Sequence, residues 1–286
     1  MKLPLRLALP VLMAVPALAW GQPDLQDPCK ADAAGRVDFE ACVADAPRGS
    51  PQRALALMNL ATQALLKQDF ATAVRLYDEA EPANGEKIYS DASFHAFRAS
   101  AYEHVGRREK ALEEARTSLE MLRGRRFPGM PRVPAANDPE DFLPFILPVL
   151  KRGGDPAFPE ALAWYRTLPA KDWISHANRA SVLSDLDDVP GALEAQALAL
   201  KAQPDHPMVL NTGCVLLVKA RRADEALAYC ERAVKVAPET GAVHDSHADA
   251  LAALGRCGEA QAALATARGL DPASVHYRRT LACAAK

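Results

Sequence analysis

The sequence predicts an all-α chain, a solenoid of antiparallel helix pairs, and three observations predict it. Proline recurs at Pro204, Pro238 and Pro272, 34 residues apart each time, and Ala192, Ala226 and Ala260 keep the same step, as do Ala199, Ala233 and Ala267. A fixed period of this size is the signature of stacked structural repeats. Each period reads as two helices with a turn between them. Aromatic residues make up only 6% of the chain and alanine is abundant, the composition that lets helices approach closely.

The last full period shows the local grammar. Residues 241–254 read as a first helix, with His244, His247, Ala248 and Leu251 on one face. Gly255 follows, where a helix ends in a left-handed residue at little steric cost. Gly258, Glu259 and Ala260 open a second helix that runs to Leu270, and Asp271-Pro272 stops it, because proline has no N–H to donate and restricts the residue before it.

These units resemble the tetratricopeptide repeat. A small residue stands at the family's eighth place (Ala180, Cys214, Ala248), alanine at its twentieth (Ala192, Ala226, Ala260) and twenty-seventh (Ala199, Ala233, Ala267), and proline at its thirty-second. Three consecutive units match over residues 173–272. The fourth-place tryptophan of the family is replaced by His176, Leu210 and His244, and the eleventh-place tyrosine by leucine, so no subfamily signature remains. The resemblance implies a right-handed superhelical solenoid whose first helices line a concave groove that takes up a peptide or partner helix.

Taken in order, residues 1–19 read as a cleavable signal peptide: Lys2 and Arg6, then an apolar run, then Ala17-Leu18-Ala19 as the cleavage pattern after Ala19. The run falls short of the about 20 residues a membrane span needs, and Pro10 and Pro16 further disfavour the alternative, a retained anchor helix. Residues 20–53 form an N-terminal segment. Residues 54–125 carry two weaker repeats, the first with Ala61, Phe70, Ala73, Tyr77 and Ala80, the second with Ala99, Tyr102, Gly106 and Ala111. Residues 126–141 read as a proline-rich linker. Residues 142–172 read as a degenerate repeat with Ala161 at the twentieth place and a first helix distorted by Pro144 and Pro148. That makes about six units, one or two of them degenerate. Residues 273–286 are expected to form a capping helix, because the last apolar face of a solenoid needs cover; Tyr277 and Leu281 would face the repeat and Arg278 and Arg279 would face water.

Charge and cysteines bound the function further. The chain has 34 basic and 36 acidic residues, a net charge of -2, with none of the basic surplus of nucleic-acid binding. Its six cysteines, Cys29, Cys42, Cys214, Cys230, Cys257 and Cys283, form no CxxC, which argues against a thiol oxidoreductase and a zinc knuckle. An even number in an exported chain permits three disulfides but does not fix their pairing. In the repeat frame Cys214 and Cys230 face each other across one hairpin, as a disulfide or as two buried thiols. A bond between Cys29 and Cys42 would staple the N-terminal segment, and one between Cys257 and Cys283 would pin the cap.

Catalytic and metal constellations are weak. His244, His247 and Asp249 have a spacing that suits a metal, but the histidines fall on the hairpin's own seam and the acids on the groove side, so packed or hydrogen-bonded histidines are the simpler reading. Asp187-Asp188 and the arginine pairs at 107–108 and 221–222 sit at turns and helix ends, where solvation and the helix dipole explain them. Neither a Gly-rich phosphate loop nor a GxSxG motif occurs, the proline-rich stretch offers no His or Cys for a hydrolase, and no cofactor is implied. What the resemblance does imply is a groove: Ile174, Ala177, Ser181 and Asp185 from one unit, Met208, Asn211, Val215 and Lys219 from the next, Asp245 and Asp249 from the third. The two-Lys, two-Asn clamp of chaperone-binding members is missing. The expectation is a non-enzymatic, periplasmic or secreted scaffold that binds a basic or amphipathic protein segment. The alternative is a self-associating structural component of the envelope.

Overall fold

The computed structural model describes Cys29 and residues 37–80, 92–124 and 138–283. The expected signal peptide and most of the proline-rich stretch lie outside the described residues. Every regular element within them is helical, and they fall into two compact bodies, one ending at Leu168 and the other beginning at Pro169.

The first body holds α1 (Phe39–Asp45), α2 (Pro51–Leu66), α3 (Phe70–Ala80), α4 (Ala92–His104), α5 (Arg108–Leu122), α6 (Pro139–Arg152) and α7 (Phe158–Thr167). The second holds α8 (Trp173–Asp185), α9 (Val189–Ala202), α10 (Pro207–Lys219), α11 (Ala223–Val236), α12 (Gly241–Ala253), α13 (Cys257–Leu270) and one 3₁₀ turn, His276–Arg278. From α2 onward the helices pair as six hairpins, three in each body.

The helix starts are written in the sequence. Ser50 accepts from the backbone N–H of Arg53, Asp138 from that of Glu140 and Asp172 from that of Ser175, and Pro51, Pro139 and Pro207 occupy first-turn positions where no N–H is needed. All six hairpins then turn in the same way. The N–H of Asp69, Arg107, Asp155, Asp188, Arg222 and Arg256 reaches back to a carbonyl five residues earlier. The residue before each of these is left-handed: Gln68, Gly106, Gly154, Asp187, Arg221 and Gly255. That is the Schellman closure. The chain adopts it whether or not the position is glycine.

Small side chains set the helix spacing. Ala61 and Ala73, Ala99 and Ala111, Ala180 and Ala192, Cys214 and Ala226, and Ala248 and Ala260 are all fully buried. Each pair brings two backbones together where larger residues would hold them apart. In the first body, burial and its hydrogen bond to Asp78 push the Tyr102 phenol up to about 12, while Arg98 and Arg107 crowd its ring.

Three sequence expectations change. Asp138, Glu140 and Asp141 do not belong to a linker: Asp138 caps α6 and the other two fill its first turn, where they favour the helix dipole. Pro144 and Pro148 sit within α6, which continues through both. Its apolar residues Leu143, Ile146, Leu147, Val149 and Leu150 are buried, so packing outweighs the missing backbone donors. Over its described part, the expected capping helix is only the 3₁₀ turn, followed by Arg279 in extended backbone and irregular chain through Cys283.

Candidate interaction surface

In the second body the first helices α8, α10 and α12 pack directly on one another in a row. The second helices α9 and α11 pack within their hairpins and against the next first helix, and make no substantial contact with each other. The layer whose members touch is the shorter one, so this stack bends with the first helices on its inner side. Their outward face is where the repeat frame expects the groove residues.

The eight from α8 and α10 divide into three groups. Ala177 does not line the surface: it is 3% exposed and packs with Ala199 and Val209 in the core. Ile174, Ser181, Met208 and Asn211 are half-buried; Met208 also packs on that cluster, and the buried Oδ1 of Asn211 has no hydrogen-bond partner among the described residues. Asp185, Val215 and Lys219 are exposed. Lys219 reaches back one repeat and donates to the carbonyl and the hydroxyl of Ser184, at 2.6 and 3.0 Å.

Asp245 and Asp249 are the acids expected to await a basic partner, and the chain itself supplies the cation. One guanidinium nitrogen of Arg279 lies 2.7 Å from Asp245 and another 2.7 Å from Asp249. The Asp245 side chain is only 3% exposed beneath it. Burial works against the charge on Arg279, and the hydrogen bonds to Asp249 and Asp245 more than restore it, so its pKa is raised. Arg279 was expected to face water. The signal that could have found it is periodic: Arg279 stands one repeat length, 34 residues, beyond Asp245, so opposite charges occupy the same place in successive units.

The histidines behave as packed residues. His244 Nε2 lies 2.7 Å from the carbonyl of Pro238, and burial lowers the pKa of His247. No cluster of His, Cys, Asp and Glu able to hold a metal occurs among the described residues. All six cysteines are paired, Cys29–Cys42, Cys214–Cys230 and Cys257–Cys283, the pairings considered from the sequence. No helix among the described residues is long and apolar enough to cross a membrane.

No family model matches the sequence, and no curated protein matches it. Solved structures do match. A tetratricopeptide repeat protein from Parabacteroides merdae superposes with a TM-score of 0.57 at 13% identity, over 84% of this chain and 87% of that one. PilW, a widely conserved type IV pilus biogenesis factor, superposes with a TM-score of 0.52 at 18% identity, over 80% of this chain and 98% of its own. At such identities the likeness is one of fold, and it agrees with the hairpin pairing, the left-handed turn and the buried small residues: the chain has the fold of the tetratricopeptide repeat proteins.

Proposed function

We propose that this protein is a non-catalytic interaction scaffold of the cell envelope, and that the outward face of α8 and α10 binds a segment of a partner protein. The observation that carries this reading is the direct row of first helices, which leaves one continuous helical face uncovered by the second helices. Val215 marks that face: of the exposed large apolar residues in the second body, it alone stands on a first helix, while Leu198 and Val236 stand on second helices. Met208 and Asn211 flank it and Asp185 and Lys219 border it, so the face offers an apolar centre with charges of both signs beside it. An amphipathic segment suits that surface. Three disulfides and a signal-like N-terminus support an oxidising compartment.

A photo-reactive amino acid placed at Val215, with a second at Leu198 as control, tests the face directly. Both sites are exposed, at 37% and 50%. The reading expects partner adducts from position 215 and none from position 198. Adducts from 198 alone would move the working surface to the second helices and favour self-association by the outer layer.

A further inference from the structure

The chain from Pro272 to Cys283 is bound to the second body by a series of side-chain anchors. From Tyr277 onward every second residue is anchored and every other one faces water. Tyr277 is buried against Ala248, Leu264 and Ala267 and covers Gly241 so closely that a methyl group there would meet its ring at 3.0 Å. Arg279 spans Asp245 and Asp249. Leu281 packs on Leu251, Ala252 and Ala260. Cys283 is bonded to Cys257. Between them Arg278, Thr280 and Ala282 are exposed. Tyr277 and Arg278 belong to the 3₁₀ turn, and the chain beyond it is irregular with extended backbone at Arg279. Arg268 clamps the segment from below, donating to the carbonyls of Tyr277 and Arg279.

The covalent anchor is the one disulfide with both cysteines partly exposed; Cys29–Cys42 has one partly exposed cysteine, Cys29, and Cys214–Cys230 has none. Cys214 and Cys230 are fully buried and Cys42 is 1% exposed, so three disulfide sulfurs sit behind packed helices. Cys257 and Cys283 are both partly exposed, at the mouth of the last hairpin turn and at the end of the segment. Thiolate attack on a disulfide needs a path to the sulfur, so the three bonds differ in susceptibility.

We infer that residues 272–283 are a redox-locked strap: while Cys257–Cys283 is oxidised the strap closes the acidic end of the first-helix row, and reduction of that one bond by a dithiol frees Asp245 and Asp249 for an arginine-bearing segment of the partner. In the opening step the dithiol gives up two electrons and two protons and becomes its own disulfide, while the Cys257–Cys283 bond breaks into two thiols. The strap then stays on through Tyr277, Arg279 and Leu281 alone. An incoming segment competes with it by bringing its own guanidinium to the buried carboxylate of Asp245, which needs a cation wherever it comes from. The inference deepens the proposed scaffold reading by assigning the chemistry of one end of the same helix row.

The experiment uses the full chain without any partner. Graded dithiothreitol followed by alkylation and mass spectrometry reads which cysteines open first, and hydrogen exchange reads the strap. The strap account expects Cys257 and Cys283 to be alkylated before Cys214 and Cys230. It expects amides of residues 277–283 to exchange on the order of a hundredfold faster once that bond is open, as loss of a closed loop of this size implies. Cys257→Ser with Cys283→Ser reproduces the open state with the other bonds intact. A fluorescent peptide with the sequence of residues 275–282 then binds the opened chain and not the oxidised one, and loses binding when alanine replaces its second arginine. Opening of Cys214–Cys230 at the same reductant concentration, unchanged exchange in the strap, or arginine-independent binding of the peptide would each overturn the strap. None of these readouts involves Val215, so failure of the scaffold reading at α10 and failure of the strap remain distinguishable.

Discussion

At the scale of single residues, the most consequential contact is Arg279 with Asp245 and Asp249. Asp245 is buried, so removing Arg279 takes away the cation that balances a carboxylate held out of water, which costs more than the pair contributes when whole. Arg279 is a third exposed, and solvent moderates that cost. Arg279→Ala is therefore expected to destabilise the second body by about 2 kcal/mol in urea unfolding, and Asp245→Asn in the same chain to recover part of the loss. Equal midpoints for Arg279→Ala and the parent chain would show that the pair contributes nothing.

His247 sets a pH dependence. Its pKa is depressed from 6.5, first by burial and then by the charges of His244 and Arg256, against the pull of Glu231 and Glu259. A histidine depressed in the folded state stays neutral there while the unfolded chain takes up a proton. The folded protein thus has its full stability above 6.5 and loses part of it as pH falls from 6.5 toward the lower folded value. Thermal melts across that range are expected to fall more steeply for the parent chain than for His247→Gln; parallel curves would remove His247 as the cause. Of these residue-scale features, the partial burial of His247 agrees with the seam place the 34-residue frame gives it, while His244 meets the carbonyl of Pro238. The role of Arg279 was not legible, because charge alone reads as solvated surface, and only its in-phase opposition to Asp245 distinguishes it.

At the scale of elements, the hairpin turn decides more than any one helix. Six hairpins use one closure, and the sequence announces it only where glycine stands, at Gly106, Gly154 and Gly255. At Gln68, Asp187 and Arg221 the same left-handed backbone is imposed by the packing of the two helices on either side. A side chain there crowds the following carbonyl, and glycine does not. Arg221→Gly is accordingly expected to raise stability by roughly 0.5–1 kcal/mol, the relieved strain outweighing the extra freedom glycine gives the unfolded chain. A lower melting temperature for this variant would mean that the Arg221 side chain contributes more than its backbone costs. The two elements misread from sequence share a cause. In α6 two prolines suggest distortion, but the buried stripe from Leu143 to Leu150 holds the helix through them. In the C-terminal segment the need to cover the last apolar face suggests a helix, but the disulfide, the arginine clamp and the pocket for Tyr277 hold a 3₁₀ turn and irregular chain instead. In both, tertiary contacts that no local pattern encodes decide the backbone.

At the scale of the molecule, the repeat period carried most of the architecture. Three prolines and six alanines in phase are enough to predict the helix pairs of residues 173–272 and their small-residue seams, which follow from how closely two helices must nest, while the count of about six units needs the weaker repeats upstream. The interaction face was legible less completely. The repeat frame assigns places, but Ala177 at one such place is core, and the acids at two others are already occupied by the chain's own arginine. What remains open on the first-helix row is its centre, around Val215 on α10. The claim on which the scaffold reading depends is that this centre holds a partner.

The most direct measurement is capture from an envelope extract by the full oxidised chain, beside Val215→Glu of matched melting temperature. A charge at the apolar centre must be desolvated by any segment that covers it, so the account predicts that the retained protein is lost or bound at least about tenfold more weakly by the variant. Equal retention of the same protein by both chains would contradict it and shift the working surface away from the first helices.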